Sequence, residues 1–320
     1  MPRDFDLLVV GDANPDVVVG PLTEPLAFGQ RELLVDGGAM TLGGSAAITA
    51  CGAARLGLRV AFAGRVGDDH AGHYVRDRLA ARGVDTGALR FDDTLPTPLT
   101  VCVTRDGDRA VLTAPGTLAA VSAADVPDRL VTSVRHVHAG SFFLMPRLAA
   151  GLPGLFAAAR DAGATTSLDT NDDPSGRWDP AALAGVLDHT DVLLPNADEA
   201  CRLAGRPTGP SQVTEAARVL AGRVPLVAVK NGADGALCTD GTTLHRTGAV
   251  PVRPSDTVGA GDSFDAGFLT ALLNGRPAEE ALALAAVCGA LSTRRPGGTD
   301  AQPSWDEALS HLDPQKAGAS

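Results

Sequence analysis

The sequence predicts a three-layer αβα fold with a mostly parallel central sheet and a small β-sheet lid. Short apolar runs such as Leu7–Val10 alternate with Ala- and Leu-rich stretches such as Ala46–Leu56 along most of the 320 residues. The short runs contain no regular polar alternation, which indicates strands covered by helices on both faces. Two segments, about 17–40 and 95–116, lack helical periodicity. We expect these two segments to form the lid.

The strands and helices of the main layers are predicted in alternation. Short β-rich runs predict strands at Leu7–Val10, Val60–Ala63, His136–His138, Thr166–Leu168, Asp191–Leu194 and Leu226–Val229. Longer stretches of good helix formers predict helices at Ala46–Leu56, Ala71–Ala81, Leu148–Ala162, Val213–Ala221 and Ser263–Leu273. Ligands bind beyond the carboxyl ends of the strands in such sheets, so the loops after the strands are the expected site.

The second lid segment carries a hairpin pattern. Leu99–Thr104 and Arg109–Thr113 are β-prone runs separated by a polar turn, Arg-Asp-Gly-Asp. Both lid segments are too short to form independent domains. We therefore expect one domain over residues 1–320, with the lid segments inserted in it.

Composition and charge exclude several classes of function. The chain has 38 Asp and Glu against 27 Lys and Arg, a net charge of −11. A nucleic-acid partner is disfavoured, because phosphate backbones require a cationic face. No apolar run reaches the roughly 20 residues that cross a bilayer, and the start is acidic where a signal peptide would be basic. We expect a cytoplasmic protein that binds neither nucleic acid nor membrane.

The segment Asp256–Leu269, with the sequence DTVGAGDSFDAGFL, carries the clearest chemical pattern. Gly259, Ala260 and Gly261 expose backbone amides at the start of a predicted helix, where N–H groups lack partners and carry the positive end of the helix dipole. Such amides form an anion hole for a phosphoryl group, and the adjacent Asp262 can accept a proton from an attacking hydroxyl. A plain strand–turn–helix, with the glycines serving the turn, is the alternative.

Other phosphate-binding patterns are missing from the sequence. A P-loop requires Lys followed by Ser or Thr, but Lys230 precedes Asn231 and Lys316 precedes Ala317. The H-R-D motif of protein kinases and the G-x-S-x-G elbow of hydrolases are also missing. These absences exclude the P-loop and protein-kinase routes to phosphoryl transfer.

The Asp256–Leu269 segment resembles the C-terminal signature of the ribokinase-like (PfkB) family of carbohydrate and nucleoside kinases. Three further segments are similar to motifs of that family: Gly43–Gly57 together with Gly64–Asp69, Asn196–Glu199, and Lys230–Gly235. They resemble the first signature, the N-x-x-E motif and the nucleotide-contacting turn, respectively. The similarity spans about residues 5–305.

The resemblance implies a ribokinase-like fold and an ATP-dependent sugar kinase that transfers the γ-phosphate to a primary hydroxyl of a carbohydrate. Asp262 would be the catalytic base, and the turn of Gly259, Ala260 and Gly261 would be the anion hole. ATP and Mg²⁺ would be the cofactors. The lid would cover the sugar and provide an interface for a homodimer.

The resemblance also implies binding residues. The substrate would contact Asn14, Asp16, Gly43, Gly44 and Asn171, and the nucleotide would contact Asn196, Glu199, Lys230 and Gly232. Glu199 would hold Mg²⁺ through water, because Mg²⁺ dehydrates reluctantly. Asp256 falls at the position where some members bind a monovalent cation such as K⁺.

The residues alone leave structural alternatives open. Asn14 and Asp16 also suit a polar turn, and Asn196–Glu199 also suits a capping pair at a helix start. The segment containing Asn171 is equally compatible with a polar loop.

This segment also resembles the D-x-N segment of the sugar-acid kinases of the family. Those kinases have an Arg where this chain has Asp173. An acidic side chain there disfavours a substrate that carries a carboxylate.

Departures from the family pattern leave two alternative functions. Ile48 replaces an Asn of the first signature, and Ala285 and Ala286 replace an Asn that many members have near the adenine. These changes favour a non-catalytic sugar- or nucleotide-binding relative, but the intact pairing of Asp262 with the anion hole counts against it. The other alternative is a nucleoside kinase. It is disfavoured because the chain is only 4% aromatic and Phe28 is the aromatic residue of the first lid segment.

Overall fold

The computed structural model describes residues 3–105 and 108–312. In this part the strands are β1 (Phe5–Val10), β2 (Asn14–Gly20), β3 (Gly37–Gly43), β4 (Val60–Gly67), β5 (Val84–Asp92), β6 (Leu99–Arg105), β7 (Asp108–Ala114), β8 (Val134–Ala139), β9 (Thr165–Leu168), β10 (Val192–Leu193), β11 (Leu226–Lys230), β12 (Ala236–Thr239) and β13 (Leu244–Thr247). The helices are α1 (Ser45–Arg55), α2 (His70–Ala81), α3 (Asp128–Ser133), α4 (Pro146–Asp161), α5 (Pro180–Leu187), α6 (Ala197–Leu203), α7 (Val213–Ala221), α8 (Ala260–Leu273), α9 (Ala278–Ser292) and α10 (Trp305–Leu312).

Nine strands form the main sheet, in the order β13-β12-β11-β10-β9-β8-β1-β4-β5. The pairs from β5 to β11 are parallel, whereas β12 and β13 run antiparallel at one edge. Residues of β1 alternate between the two faces: Leu7 and Val9 belong to one buried core, and Leu8 and Val10 belong to the other. Helices cover both faces, so the predicted three-layer arrangement is confirmed.

The lid is a second sheet of four strands, in the order β3-β2-β6-β7. The hairpin predicted for the second lid segment is present as β6 and β7, which pair antiparallel from Leu99↔Ala114 to Arg105↔Asp108. Strand β2 joins the two lid segments, because it pairs antiparallel with β3 and parallel with β6. The lid is thereby held to the main sheet through the short connection between β1 and β2.

The structure differs from the sequence prediction mainly at element ends. Helix α8 begins at Ala260, within the Gly259–Gly261 turn where the helix start is predicted and three residues before the stretch Ser263–Leu273, because Gly259 takes a left-handed conformation that begins the helix there. The predicted strand over 191–194 is reduced to the two residues of β10. No helix among the described residues combines the length and apolarity that a membrane crossing requires.

Candidate active site

A cavity of about 870 Å³ lies between the lid and the carboxyl ends of the central strands. Its wall contains residues that follow β1, β9 and β11, the first residues of α8, and lid residues of β6 and β7. A second cavity, of about 520 Å³, adjoins it. The two share Lys230, Gly232, Thr257, Ala260 and Gly261. Two chambers that meet at the start of α8 suit two ligands that exchange a group there.

The turn before α8 is shaped by Gly259. Its φ of 71° is left-handed, and a Cβ at this position would lie 2.7 Å from the Gly298 Cα. Glycine is therefore required for both the conformation and the space. Gly259, Ala260, Gly261 and Asp262 all line the larger cavity. Because the first amides of an α-helix have no acceptor within the helix, the N–H groups of this turn can donate to an anion in the cavity.

Asp262 is buried beside this turn, with 7% of its surface exposed. Burial, together with the nearby negative charge of Asp169, raises the pKa of its carboxyl group to about 8. The positive charge of Lys230 opposes both effects, as does a hydrogen bond from the Ser45 hydroxyl. A base is most useful when its pKa lies near the working pH, so this environment suits proton acceptance.

Lys230 extends from the end of β11 to a buried pair of carboxylates. Its Nζ lies 2.6 Å from Asp169 Oδ2 and 3.1 Å from both carboxylate oxygens of Asp265. Oxygen atoms of Asp169, Asp262 and Asp265 lie within 4.8 Å of one another. Such a carboxylate cluster resembles a metal site, but the lysine ammonium already provides the positive charge for two of its members.

Asn14 and Asp16 are the first polar residues of strand β2, not a turn. The Asn14 side-chain amide donates to Asp16 Oδ1 at 2.8 Å and to the lid residue Thr100 at 3.1 Å. Burial raises the pKa of Asp16 to about 6. Gly43 pairs with Asn14 across β2 and β3, and a Cβ on Gly43 would overlap the Asp16 carboxylate. Gly43 thus makes room for the carboxylate of Asp16, which lines the cavity, but does not line the cavity itself.

Asp12 is a site residue that the sequence reasoning missed. Its carboxylate accepts hydrogen bonds from the backbone N–H groups of Ser45 at 3.1 Å and Ala46 at 3.0 Å. Gly44, with a φ of 91°, begins α1 next to Asp12. Asp12 therefore fixes the start of α1 against the end of β1. The available signal was an acidic residue directly after a buried strand, where ligands of such sheets bind.

Asn171 lines the cavity, but its side chain is largely occupied. Its Oδ1 accepts from the Ser141 backbone N–H at 2.7 Å, and its Nδ2 donates to Ser45 Oγ at 3.1 Å. Through Ser45 it is connected to Asp262. The neighbouring Asp173 folds into its own loop, where it accepts from the Trp178 backbone N–H. Because Asp172 lines the cavity and Asp173 does not, Asp172 is the acidic residue that would disfavour a substrate carboxylate there.

Asn196 and Glu199 form a reciprocal capping box at the start of α6. The Glu199 N–H donates to Asn196 Oδ1 at 2.9 Å, and the Asn196 N–H donates to Glu199 Oε2 at 2.8 Å. Both residues also line the larger cavity. Burial, with the charge of Asp169, raises the pKa of Glu199 to about 7. Together with Asp172 they present the oxygen ligands that Mg²⁺ prefers, so these residues fit a hydrated magnesium ion.

Arg109 is a second site residue that the sequence reasoning missed. It extends from β7 of the lid into the cavity, where its Nη1 lies 3.4 Å from Thr257 Oγ1 and 3.8 Å from Asp256 Oδ1. Asp256 itself lies behind the wall and accepts backbone N–H groups from Val258 and Gly297, each at 3.0 Å. The lid is therefore in contact with the loop that leads into the anion site.

The smaller cavity is mainly apolar. Its wall includes Val250, Pro251, Val252, Phe264, Ala286 and Ala290. Ala286 faces this cavity, whereas Ala285 is buried in the core behind it. Ile48 packs against the anion-site turn, 3.0 Å from where a Gly259 Cβ would lie. The apolar side chain at 48 thus supports the turn by contact.

The chain matches known proteins over nearly its whole length. The model of the pfkB family of carbohydrate kinases matches residues 4–305. The chain is a member of that family. The kinase is 32% identical over 307 residues to the ATP-dependent ribose-1-phosphate kinase of Halopiger xanaduensis, which covers 96% of this chain and 97% of that protein.

Solved structures confirm the ribokinase-like fold. Ribokinase of Arabidopsis thaliana, complexed with ribose and ATP, superposes with a TM-score of 0.84 at 27% identity, covering 98% of this chain and 99% of the other. A putative ribokinase II from E. coli, in complex with ATP and Mg²⁺, gives a TM-score of 0.83 at 23% identity, covering 97% and 99%. The pfkB kinase described here is thus an ATP-dependent carbohydrate kinase.

Proposed function

We propose that this pfkB kinase transfers the γ-phosphate of ATP to a primary hydroxyl of a sugar or sugar phosphate, with Asp262 as the base. One observation supports this proposal above all. The buried Asp262, the turn of Gly259, Ala260 and Gly261, and the polar residues Asn14 and Asp16 face one cavity below the lid.

The sugar would lie in the larger cavity. The carboxylate of Asp16 and the amide of Asn14 can hydrogen-bond its hydroxyl groups, and Thr100 connects them to the lid. Asn171 would act mainly by holding Ser45, since both ends of its amide are already bonded. The hydroxyl that reacts would point from these groups towards Asp262.

Phosphoryl transfer needs orientation and charge stabilisation more than covalent help from the protein. The sugar oxygen attacks the γ-phosphorus, the bond to the bridging β,γ-oxygen breaks, and ADP leaves. The hydroxyl proton passes to the ionised carboxylate of Asp262. The amides of the 259–261 turn stabilise the negative charge on the moving phosphoryl group.

The nucleotide would occupy the smaller cavity, with its base among Val250, Val252 and Ala286 and its phosphates towards Gly232 and Gly261. Asn196 and Glu199 would hold Mg²⁺ through water. When bound, Mg²⁺ neutralises phosphate charge. Asp256 would support a monovalent cation such as K⁺ near the same turn.

The lid would exclude water, and with it ATP hydrolysis, once the sugar is bound. Its outer strand β7 is exposed along its whole length, with Val111 and Leu112 more than half exposed. We propose that this edge forms the interface of a homodimer. Size measurement in solution would test this arrangement.

An assay of ADP release over a panel of acceptors tests the proposal. The panel contains D-ribose, ribose 1-phosphate, D-fructose, 2-dehydro-3-deoxygluconate and adenosine. We expect turnover with a sugar or sugar phosphate and loss of turnover in Asp262→Asn. Preferred turnover of adenosine would support a nucleoside kinase instead, although the described lid residues that line the cavity include no aromatic side chain. Binding without ADP release for every acceptor would support a non-catalytic relative.

A further inference from the structure

Lys230 is the residue whose placement the transfer reaction alone does not explain. Its ammonium group is bonded to Asp169 and Asp265, and only 12% of its side chain is exposed. Its methylene chain passes beside the anion site, since a Cβ on Gly261 would lie 3.5 Å from Lys230 Cδ. The stem thus supports the turn, while the charge lies deeper in the protein.

The carboxyl groups around this ammonium cannot all be ionised without a cation. Oxygen atoms of Asp169, Asp262 and Asp265 come within 4.8 Å of one another, and all three residues are buried. Like charges this close strongly disfavour ionisation, especially away from water. Lys230 Nζ bonds two of the three at 2.6 and 3.1 Å and leaves Asp262 without a direct ammonium contact.

We propose that Lys230 is a positioning residue, which acts as the resident counter-charge of the carboxyl cluster and so keeps Asp262 able to accept a proton. The proposal rests on the proposed role of Asp262 as the base. It assigns Lys230 an effect that passes through another side chain instead of a contact with the phosphates.

The groups that face Asp262 come from several elements. The charges of Asp169 after β9 and Asp12 after β1 raise its pKa, and Lys230 of β11 lowers it. Asp265, one turn along α8, belongs to the same cluster, and the Ser45 hydroxyl of α1 favours the ionised form. Lys230 is the cation among these groups, so removing its charge should raise the pKa of Asp262.

Titration of the Asp262 carboxyl in the free protein tests the proposal without any substrate. Carboxyl-labelled aspartate is followed by carbon-13 NMR, and the signal is assigned by its loss in Asp262→Asn. In Lys230→Met we expect the Asp262 titration to move upward by about 1 to 3 pH units, because an opposite charge has been removed from its vicinity. Lys230→Arg should keep the midpoint within about 0.5 units, since the charge remains.

A second substitution separates charge from structure. In Lys230→Met combined with Asp169→Asn, one positive and one negative charge are removed together, and we expect the midpoint to return close to the wild-type value. This double variant also keeps the test valid if Lys230→Met alone fails to fold, because it leaves no additional buried charge. A lysine that only packs against the turn would give no such rescue.

Arg65→Met is the matched control. Arg65 forms a partly buried ion-pair cluster with Asp92 and Asp125 that does not line the cavity. This variant should lose stability and leave the Asp262 midpoint unchanged. An unchanged midpoint in Lys230→Met, or the absence of rescue in the double variant, would overturn the proposal.

The same experiment distinguishes failure of the proposal from failure of the proposed function. If no acceptor is phosphorylated but the midpoint follows the lysine charge, the coupling stands and the kinase assignment fails. If a sugar is phosphorylated, the acid limb of kcat against pH should move upward in Lys230→Met. A limb that stays in place would refute a role of Lys230 through Asp262.

Discussion

Replacement of Asp262 by Asn tests whether the pKa of this carboxyl group is raised, because the replacement should change the stability of the fold as well as the activity. The folded protein raises the pKa of this carboxyl from 3.8 to about 8. A carboxyl with a raised pKa favours folding below 3.8, and this contribution is lost as the pH increases through 8. Between these values the folded state must keep a proton that the unfolded chain would release.

The size of the effect follows from the shift. About 4 pH units at about 1.4 kcal/mol each give an upper limit of about 6 kcal/mol. Relaxation of the site and penetration of water reduce such costs, so we expect about 2 to 4 kcal/mol. Asn cannot ionise and has nearly the same shape. Asp262→Asn should therefore be more stable than the wild type, with a gain that is small at pH 4, grows through pH 6 and levels off above pH 8.

Thermal unfolding of both proteins between pH 4.5 and 9 measures this gain. At about 2 °C per kcal/mol for a chain of this size, we expect an increase in Tm of about 4 to 8 °C at pH 8. Turnover should fall by about 10² to 10⁴ at the same time, because a general base is lost. Asp77→Asn is the control, since the side chain of Asp77 is 67% exposed. A gain for Asp262→Asn that is absent or independent of pH would refute the assignment of a strained, buried base.

Other substitutions test the remaining parts of the site. Gly259→Ala should lower kcat by about 100-fold, because the added methyl group would lie 2.7 Å from Gly298 Cα and distort the turn. Gly83→Ala is the control. Gly83 also has a left-handed φ but lies in open space, so this variant should lose only about 1 kcal/mol of stability and no activity. Ala286→Leu should fill part of the apolar cavity and raise the KM for ATP about 10-fold, while the affinity for the sugar measured by calorimetry stays unchanged. An unchanged KM for ATP would show that the nucleotide base binds outside this cavity. Arg109→Leu should raise the KM for the sugar with little change in Tm, since exposed ion pairs contribute less than about 1 kcal/mol and its main contact joins the lid to Thr257. Equal KM values in the two proteins would show that this contact does not help closure.

The sequence predicted those features that depend on neighbouring residues. The alternation of apolar runs and helices follows from local patterns, and so does the turn of Gly259, Ala260 and Gly261, which needs only small residues before a helix. The observed start of helix α8, at Ala260, accordingly falls within this turn. These predictions required no knowledge of which elements meet.

Features that depend on the meeting of distant elements were not predictable in this way. Asp169 follows β9, whereas Lys230 ends β11 and Asp265 lies in α8. The bonded partners are 61 and 35 residues apart, and nothing in this spacing indicates that they touch. The approach of Arg109 to Thr257, 148 residues apart, depends on how the lid sits on the sheet. Such contacts arise only once parallel strands place their carboxyl ends at one edge.

Neighbouring residues can differ in whether they line a cavity, and sequence patterns do not show which of the two does so. Asp172 lines the cavity, whereas Asp173 bonds its own loop. Ala286 faces the smaller cavity, whereas the preceding Ala285 is in the core. The side chains of consecutive helical residues point about 100° apart, so an error of one position can confuse a residue that faces the cavity with one that faces the core.

The strand that carries Asn14 and Asp16 is also the strand that supports the lid, because β2 pairs with both β3 and β6. The residues that would bind the acceptor therefore lie on the strand that holds the lid together. A sugar that fits these residues only partly would therefore also leave the lid misaligned. Discrimination between acceptors would then show itself in the speed of catalysis at saturation, and not in affinity alone.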